Sequence, residues 1–264
     1  MFYPEDHVSQ LNNLEGRYLH DVGVEPKSGV VMKAPVDDYR STLTEKRSNI
    51  RWNLNNFMAK RAKDPDSCVW EIGEGKWAIY GVDPVYSISD TTFRLVLTGK
   101  GTVKEIKDVL KVVSLMLERN NPCKALYYCT SLRDFVDQNV GHDCNGLVFS
   151  YFRAAQGLTK VEDKKCWLYR DFDRARKSPG EVRELDLVFP SDGGHILIIG
   201  RIWNRTADSF ECNICEARNV GEGGAQSHRY RVKLKKGVWE LDFLDKVEWS
   251  RKMGLICSPA ASLG

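Results

Sequence analysis

Residues 185 to 243 form a closely spaced succession of short, apolar, strand-like segments, and this run constrains the fold more than any other feature of the chain. The segments are Leu185 to Phe189, His195 to Trp203, Phe210 to Arg218, Arg229 to Leu234 and Val238 to Phe243. Turn-forming stretches such as Ser191-Asp192-Gly193-Gly194 and Asn204-Arg205-Thr206-Ala207-Asp208 separate them. Connections this short join antiparallel neighbours, because a parallel pairing needs a crossover of a dozen residues or more. Ahead of the run, Leu147, Val148, Tyr151, Phe152 and Ala155 recur at helical spacing behind Asp143, a good N-cap, and Gly157 marks the end of that helix. Helix first and antiparallel sheet afterwards predicts an α+β domain. Its cleft is expected where the helix N-terminus meets the sheet edge.

That junction carries the chemistry. Cys144 opens the helix, and the unpaired N–H groups of a first turn favour a thiolate, so a nucleophile with an exposed sulfur is expected there. The usual fate of a cysteine in a reduced protein is that of a small buried hydrophobe, but Asp143 before it and Gly146 after it argue for more. Gly146, lacking a Cβ, allows a substrate backbone or a neighbouring strand to come close. His195 opens an apolar strand and supplies a base on a second element. His142 is nearer in sequence, yet a residue just before an N-cap generally points away from first-turn side chains. A third group should orient the imidazole. A hairpin centred between Arg205 and Thr206 sets Glu216 directly opposite His195, with Asp208, Glu211 and Asn213 as the alternatives.

Several short stretches, in order, resemble the NlpC-type, papain-like cell-wall cysteine peptidases. Asp143-Cys144-Asn145-Gly146-Leu147-Val148 is similar to their Asp-Cys-Ser-Gly-Phe/Leu-Val signature, and Asp186-Leu187-Val188-Phe189 to their Gly-Asp-Leu-Val-Phe-Phe strand. Gly194-His195 with its apolar run resembles their Gly-His-Val-Gly-Ile-Tyr segment, and Ile214-Cys215-Glu216-Ala217 the strand that carries their third polar residue. Asn145 stands where the family has Ser, and the family's Tyr-x-Trp-Gly-Gly approach to the cysteine is missing. The resemblance implies a papain-like fold, a nucleophile helix packed on an antiparallel sheet, over residues 121–264. It also implies a Cys144–His195–Glu216 triad that cleaves an amide of peptidoglycan stem peptides through a thioester, without a cofactor. An upstream tyrosine, here Tyr128 or Tyr127, would help shape the oxyanion site along with Asp143 and Gly146. Two other readings stand beside this one: an effector acting on a host or intracellular protein by amide hydrolysis, deamidation or acyl transfer, and a catalytically inactive binding module.

The rest of the chain bounds these expectations. With 264 residues, 42% hydrophobic and 28% charged, it can bury one large core or two small ones. A formal charge of +3 is too slight to argue for nucleic acid. Basic clusters at Lys164-Lys165, Arg174 to Lys177 and Arg229 to Lys236 suit an acidic polymer or simply a solvated face. The eight cysteines lack a framework spacing, and Cys212 and Cys215, three apart on a strand, face opposite ways, so no metal is expected.

Neither a basic nor an apolar leader region opens the chain and no run is long enough to span a membrane, so synthesis in a reducing cytoplasm is expected. Export to a wall substrate would then need a dedicated secretion system, with an immunity partner, or a phage route. Residues 1–120 are expected to be an α/β extension of unassigned role, for targeting or substrate binding. Within it lie a polar, irregular stretch to about residue 45, a helix from Ser48 to Ala62, and a hairpin from Cys68 to Val82 turning at Gly73-Glu74-Gly75. A strand from Thr92 to Leu97 and an amphipathic helix from Gly101-Thr102 to about Arg119 follow.

Overall fold

A computed structural model describes residues 2–20, 27–36, 44–79, 86–119, 124–157, 169–191, 194–218, 224–245 and 250–259. The chain is α+β and divides into two compact units, one made of Met1–Gln10 with Asp143–Gly264, the other of Leu11–His142. Residues 121 to 142, expected with the cysteine domain, thus belong to the other unit, whereas the first ten residues join the cysteine. Local packing accounts for the first difference: helix α5, Leu132–Asn139, packs on α4, Val103–Arg119, and on strand β2, Lys27–Lys33.

The unit that holds Cys144 is built on a barrel. Among the described residues, β6 (Leu187–Pro190), β7 (Leu197–Trp203), β8 (Ser209–Arg218), β9 (Gly224–Lys235), β10 (Val238–Phe243) and β11 (Ser250–Cys257) form a closed ring of antiparallel neighbours. β11 returns to β6 through Ile256↔Val188 and Cys257↔Leu187. Alternate side chains fill the interior, among them Val188, Leu197, Ile199, Phe210, Cys212, Ile214, Tyr230, Val232, Trp239 and Leu241. Two bulges bend the ring. One extra residue between Ile199 and Ile202 lets both approach the interior, and one between Met253 and Leu255 does the same for Met253 and Ile256. Gly254, in the second bulge, lies so close to the turn after β6 that an added Cβ would stand 2.8 Å from Ser191 Cα.

Helix α6, Cys144–Gln156, packs on β7 and β8, and its residues from Cys144 to Phe152 are buried all round. Gly157 ends it in the left-handed conformation, φ 68°, which only glycine adopts without strain. The polar opening stretch of the chain contains helix α1, Pro4–Asn12, whose start docks on the same barrel. His7 Nε2 hydrogen-bonds Ser150 Oγ at 2.8 Å, Phe2 stacks on Tyr151, and Glu5 Oε1 accepts from Arg201 N (3.2 Å) and Asn213 Nδ2 (3.0 Å). The strand expected at Trp167 to Tyr169 lies outside the described residues except for Tyr169, which is buried against Phe149. The Lys164-Lys165 cluster lies outside them too.

In the other unit, β1 (Glu15–His20) pairs with β2 in the stretch expected to be irregular, and β1 lies on α4. Helix α2, Glu45–Arg61, stands where the helix from Ser48 to Ala62 was expected and buries Ile50, Leu54 and Met58, while Phe57 stays half-buried. The anticipated hairpin is β3, Val69–Gly73, with β4, Lys76–Ile79, turning through Gly75 at φ 62°; β5, Tyr86–Ser89, extends the sheet. Residues 92 to 97, expected as a strand, instead form helix α3, Asp90–Leu97. Ser89 and Thr92 make a reciprocal capping box, which outweighs the strand-like composition of Phe93-Arg94-Leu95-Val96-Leu97.

Candidate active site

The helix start is built as the residue types imply. Asp143, with extended backbone (φ −87°, ψ 174°), caps α6 and accepts a hydrogen bond from the N–H of Gly146. Cys144 is therefore the first helical residue, among N–H groups whose dipoles favour negative charge. Its thiol is not exposed as expected: the residue is 4% accessible, and the sulfur hydrogen-bonds the ring of His195. Gly146 is buried as well, in the third helical position, where its N–H serves the cap.

His195 stands two residues ahead of β7, just past the turn that follows β6. Its Nε2 donates to Glu216 Oε2 at 3.0 Å, so one imidazole joins the thiol on α6 to the carboxylate on β8. The register that achieves this differs from the expected hairpin. The pairs Ile198↔Cys215 and Ile199↔Ile214 slide β8 by two residues, so that continuing the ladder sets Arg218, not Glu216, across from His195. An even slide keeps each side chain on its own face, and Glu216 reaches the ring diagonally. The alternatives are committed elsewhere: Glu211 accepts from Trp203, Asn204 and Arg231, Asn213 donates to Glu5, and Asp208 lies exposed in the turn.

Glu216 is fully buried, and partners from three strands surround it. Oε1 accepts from Arg218 (2.5 Å) and from the hydroxyl of Tyr230 (3.3 Å), while Arg251 stands 3.8 Å from Oε2. Burial, the largest influence, works against its charge, but the hydrogen bonds from His195 and Arg218 prevail and bring the carboxyl down to about 2. For His195, burial likewise opposes the charged form, yet the hydrogen bonds to Cys144 and then Glu216 outweigh it and raise the imidazole to about 9. At neutral pH the site therefore holds a carboxylate and an imidazolium, the latter facing the cysteine sulfur. An imidazolium beside a cysteine sulfur favours its thiolate form, as in activated thiols.

The other residues named from sequence have partners of their own. His142, fully buried in the unit Leu11–His142, hydrogen-bonds Gly101 O at 2.9 Å, and burial holds its imidazole neutral, down to about 4. Tyr128 belongs to that same unit, 59% exposed and with left-handed backbone (φ 61°); Tyr127 beside it is also left-handed and accepts from Asn49. Cys212 faces the barrel interior and Cys215 the opposite side, both thiols raised by burial. Among the described residues no group of three or more His, Cys, Asp or Glu side chains gathers as a metal site, and no helix is long and apolar enough to cross a membrane.

Sequence reasoning missed Arg218, Tyr230 and Arg251. The signal for Arg218 was present: two residues beyond Glu216 on one strand, it shares a face with it. Tyr230 and Arg251 arrive from β9 and β11, and only closure of the barrel brings them in.

No family model, curated protein or solved structure matches the chain.

Proposed function

We propose that this protein is a cysteine hydrolase that cleaves an amide bond, with Cys144 as nucleophile, His195 as general acid toward the leaving amine and then general base toward water, and Glu216 as the group that orients the imidazole. The observation that carries this reading is the continuous hydrogen-bonded series from a helix-opening thiol through His195 to a buried carboxylate. Core histidines and glutamates have no need of one another in that order. In the first step the Cys144 thiolate adds to the substrate carbonyl, and the backbone N–H groups of the first turn of α6 stabilise the oxyanion. The imidazolium then gives its proton to the departing amine as the C–N bond breaks, leaving a thioester. Water, deprotonated by the neutral imidazole, adds to the thioester; the C–S bond breaks, the acid leaves and the thiolate–imidazolium pair is restored.

Peptidoglycan stem peptides are the proposed substrate, and a papain-like, NlpC-type arrangement the proposed fold relation. Both rest on the motif resemblance around Cys144, Asp186 and His195. Incubation of the full chain with purified sacculi, followed by mass spectrometry of the muropeptides, tests the substrate. Cleavage at one amide, lost in Cys144→Ala with the melting temperature within a few degrees of wild type, is the expected result. A Cys144→Ala variant as active as wild type would refute the nucleophile, and one strongly destabilised would mark Cys144 as a core residue. Intact sacculi alongside a trapped acyl-enzyme on a protein substrate would instead select the effector reading. Chelators are expected to leave turnover unchanged.

A further inference from the structure

We infer that Arg218, with the hydroxyl of Tyr230, is a positioning residue of the site: it holds one oxygen of Glu216 so that the other remains an ionised acceptor aimed at His195. This rests on the triad reading above and adds members to it. The geometry divides the carboxylate between two tasks. Oε2 serves the imidazole, while Oε1 takes the Arg218 guanidinium at 2.5 Å and the Tyr230 hydroxyl at 3.3 Å.

A carboxyl with no solvent access is poorly stable as an anion unless both oxygens are satisfied. Protonated, it could turn and donate, which is the wrong polarity for an imidazole that must present N–H to it. Titratable or charged neighbours face Glu216 from each element around it: His195 ahead of β7, Arg218 on its own strand, Tyr230 from β9 and Arg251 from β11, with Cys144 beyond the imidazole and Cys215 adjacent on β8. Of the two arginines, Arg218 is in hydrogen-bonding contact, whereas Arg251 lies at 3.8 Å on the oxygen that His195 already occupies. Arg218 also comes within 3.5 Å of the Tyr230 hydroxyl, so the three groups form a closed set around Oε1.

The test is a carbon-13 NMR titration of the Glu216 carboxyl in the full chain, together with the rate at which iodoacetamide alkylates Cys144 at neutral pH. In wild type the carboxyl should stay ionised to the lowest pH at which the fold survives. Arg218→Gln should move its titration upward by about one unit or more and slow alkylation about tenfold, because the imidazole loses a fixed partner. Arg218→Lys, which keeps the charge without the planar fork, should recover most of the ionisation and only part of the rate. An unmoved Glu216 titration in a folded Arg218→Gln, or wild-type alkylation in that variant, would overturn the assignment. Should Arg218→Gln fail to fold, Tyr230→Phe removes a single hydroxyl and should shift both readouts in the same direction by less; no shift in either would be equally decisive against it. A wild-type Cys144 no more reactive than a free thiol, with Glu216 titrating as expected, would defeat the hydrolase reading and leave the Arg218 assignment standing.

Discussion

At the scale of single residues, the site depends on a proton kept on His195 by its interactions with Cys144 and Glu216. With the imidazole raised to about 9 from its usual 6.5, the stability this adds is fully present below pH 6.5 and is lost as pH rises through 9. Glu216, brought down to about 2 from 4.5, contributes stability above pH 4.5 that is lost as pH falls through 2. NMR titration of the His195 ring should therefore show a midpoint near 9. Cys144→Ala removes one of these interactions and Glu216→Gln the carboxylate charge of the other, so each should bring it down by about a unit or more, toward the ordinary value. A wild-type midpoint near 6.5 would sink this electrostatic picture. On a confirmed substrate, Glu216→Gln should slow turnover about tenfold and Glu216→Ala more, since alanine also loses the orientation. Asp208→Asn should do far less, because its side chain lies exposed in the turn. Much at this scale was legible in the sequence. A thiol behind an N-cap and a histidine at a strand mouth are local patterns, and even the misjudged register left Glu216 on the correct face because the slide was even. The burial of Cys144 was not legible, since burial is set by tertiary packing and not by the local pattern of an N-cap and a helix start.

Elements were legible where local preference and tertiary packing agree. Helix α4 begins at a Thr102–Glu105 capping box, in which each backbone N–H meets the other's side chain (2.8 and 3.2 Å), and it carries a wide apolar face. Helix α3 has strand-like residues but a helix-starting cap, so composition misled where the spacing of Ser89 and Thr92 did not. Helix α1 is short and polar, and its place is secured by partners more than a hundred residues away. One of them makes a sharp test. Glu5 occupies the space over the α-carbon of Gly200, where an added Cβ would collide with its carboxylate. Gly200→Ala should therefore expel Glu5 from Arg201 N and Asn213, at a cost of about 1–3 kcal/mol in unfolding free energy. In a Glu5→Ala background the same change should cost almost nothing, a coupling that a double-mutant cycle in urea reads directly. Additive effects would mean that α1 does not rest on the β7 bulge.

For the molecule as a whole, the sequence announced antiparallel strands but not their closure. β11 went unread, and the pairing of β11 with β6 joins segments some seventy residues apart. Nothing local encodes such a pairing; it is favoured because it removes two unpaired sheet edges at once. The division into units was misjudged for a related reason, since the place of α5 follows from its packing and not from its own pattern. The two units also carry opposite pH liabilities. In the unit Leu11–His142, the buried neutral His142 must gain a proton on unfolding in acid, because its folded value near 4 lies below the ordinary 6.5. The unfolded chain thus binds more protons between those values, and stability falls as pH falls from 6.5 toward 4, by up to roughly 3 kcal/mol. The barrel unit gains no such weakness from His195, whose proton is already bound there. Hydrogen exchange read by mass spectrometry at pH 7 and pH 5, corrected for intrinsic rates, should show the slowest amides of α4 losing protection in acid while those of β8 and β9 keep theirs. His142→Phe, which cannot titrate, should flatten the pH dependence in α4 even if it lowers stability at both values by losing the bond to Gly101. An equal acid slope in the two units, or one unchanged by His142→Phe, would show that the acid limb belongs to other groups.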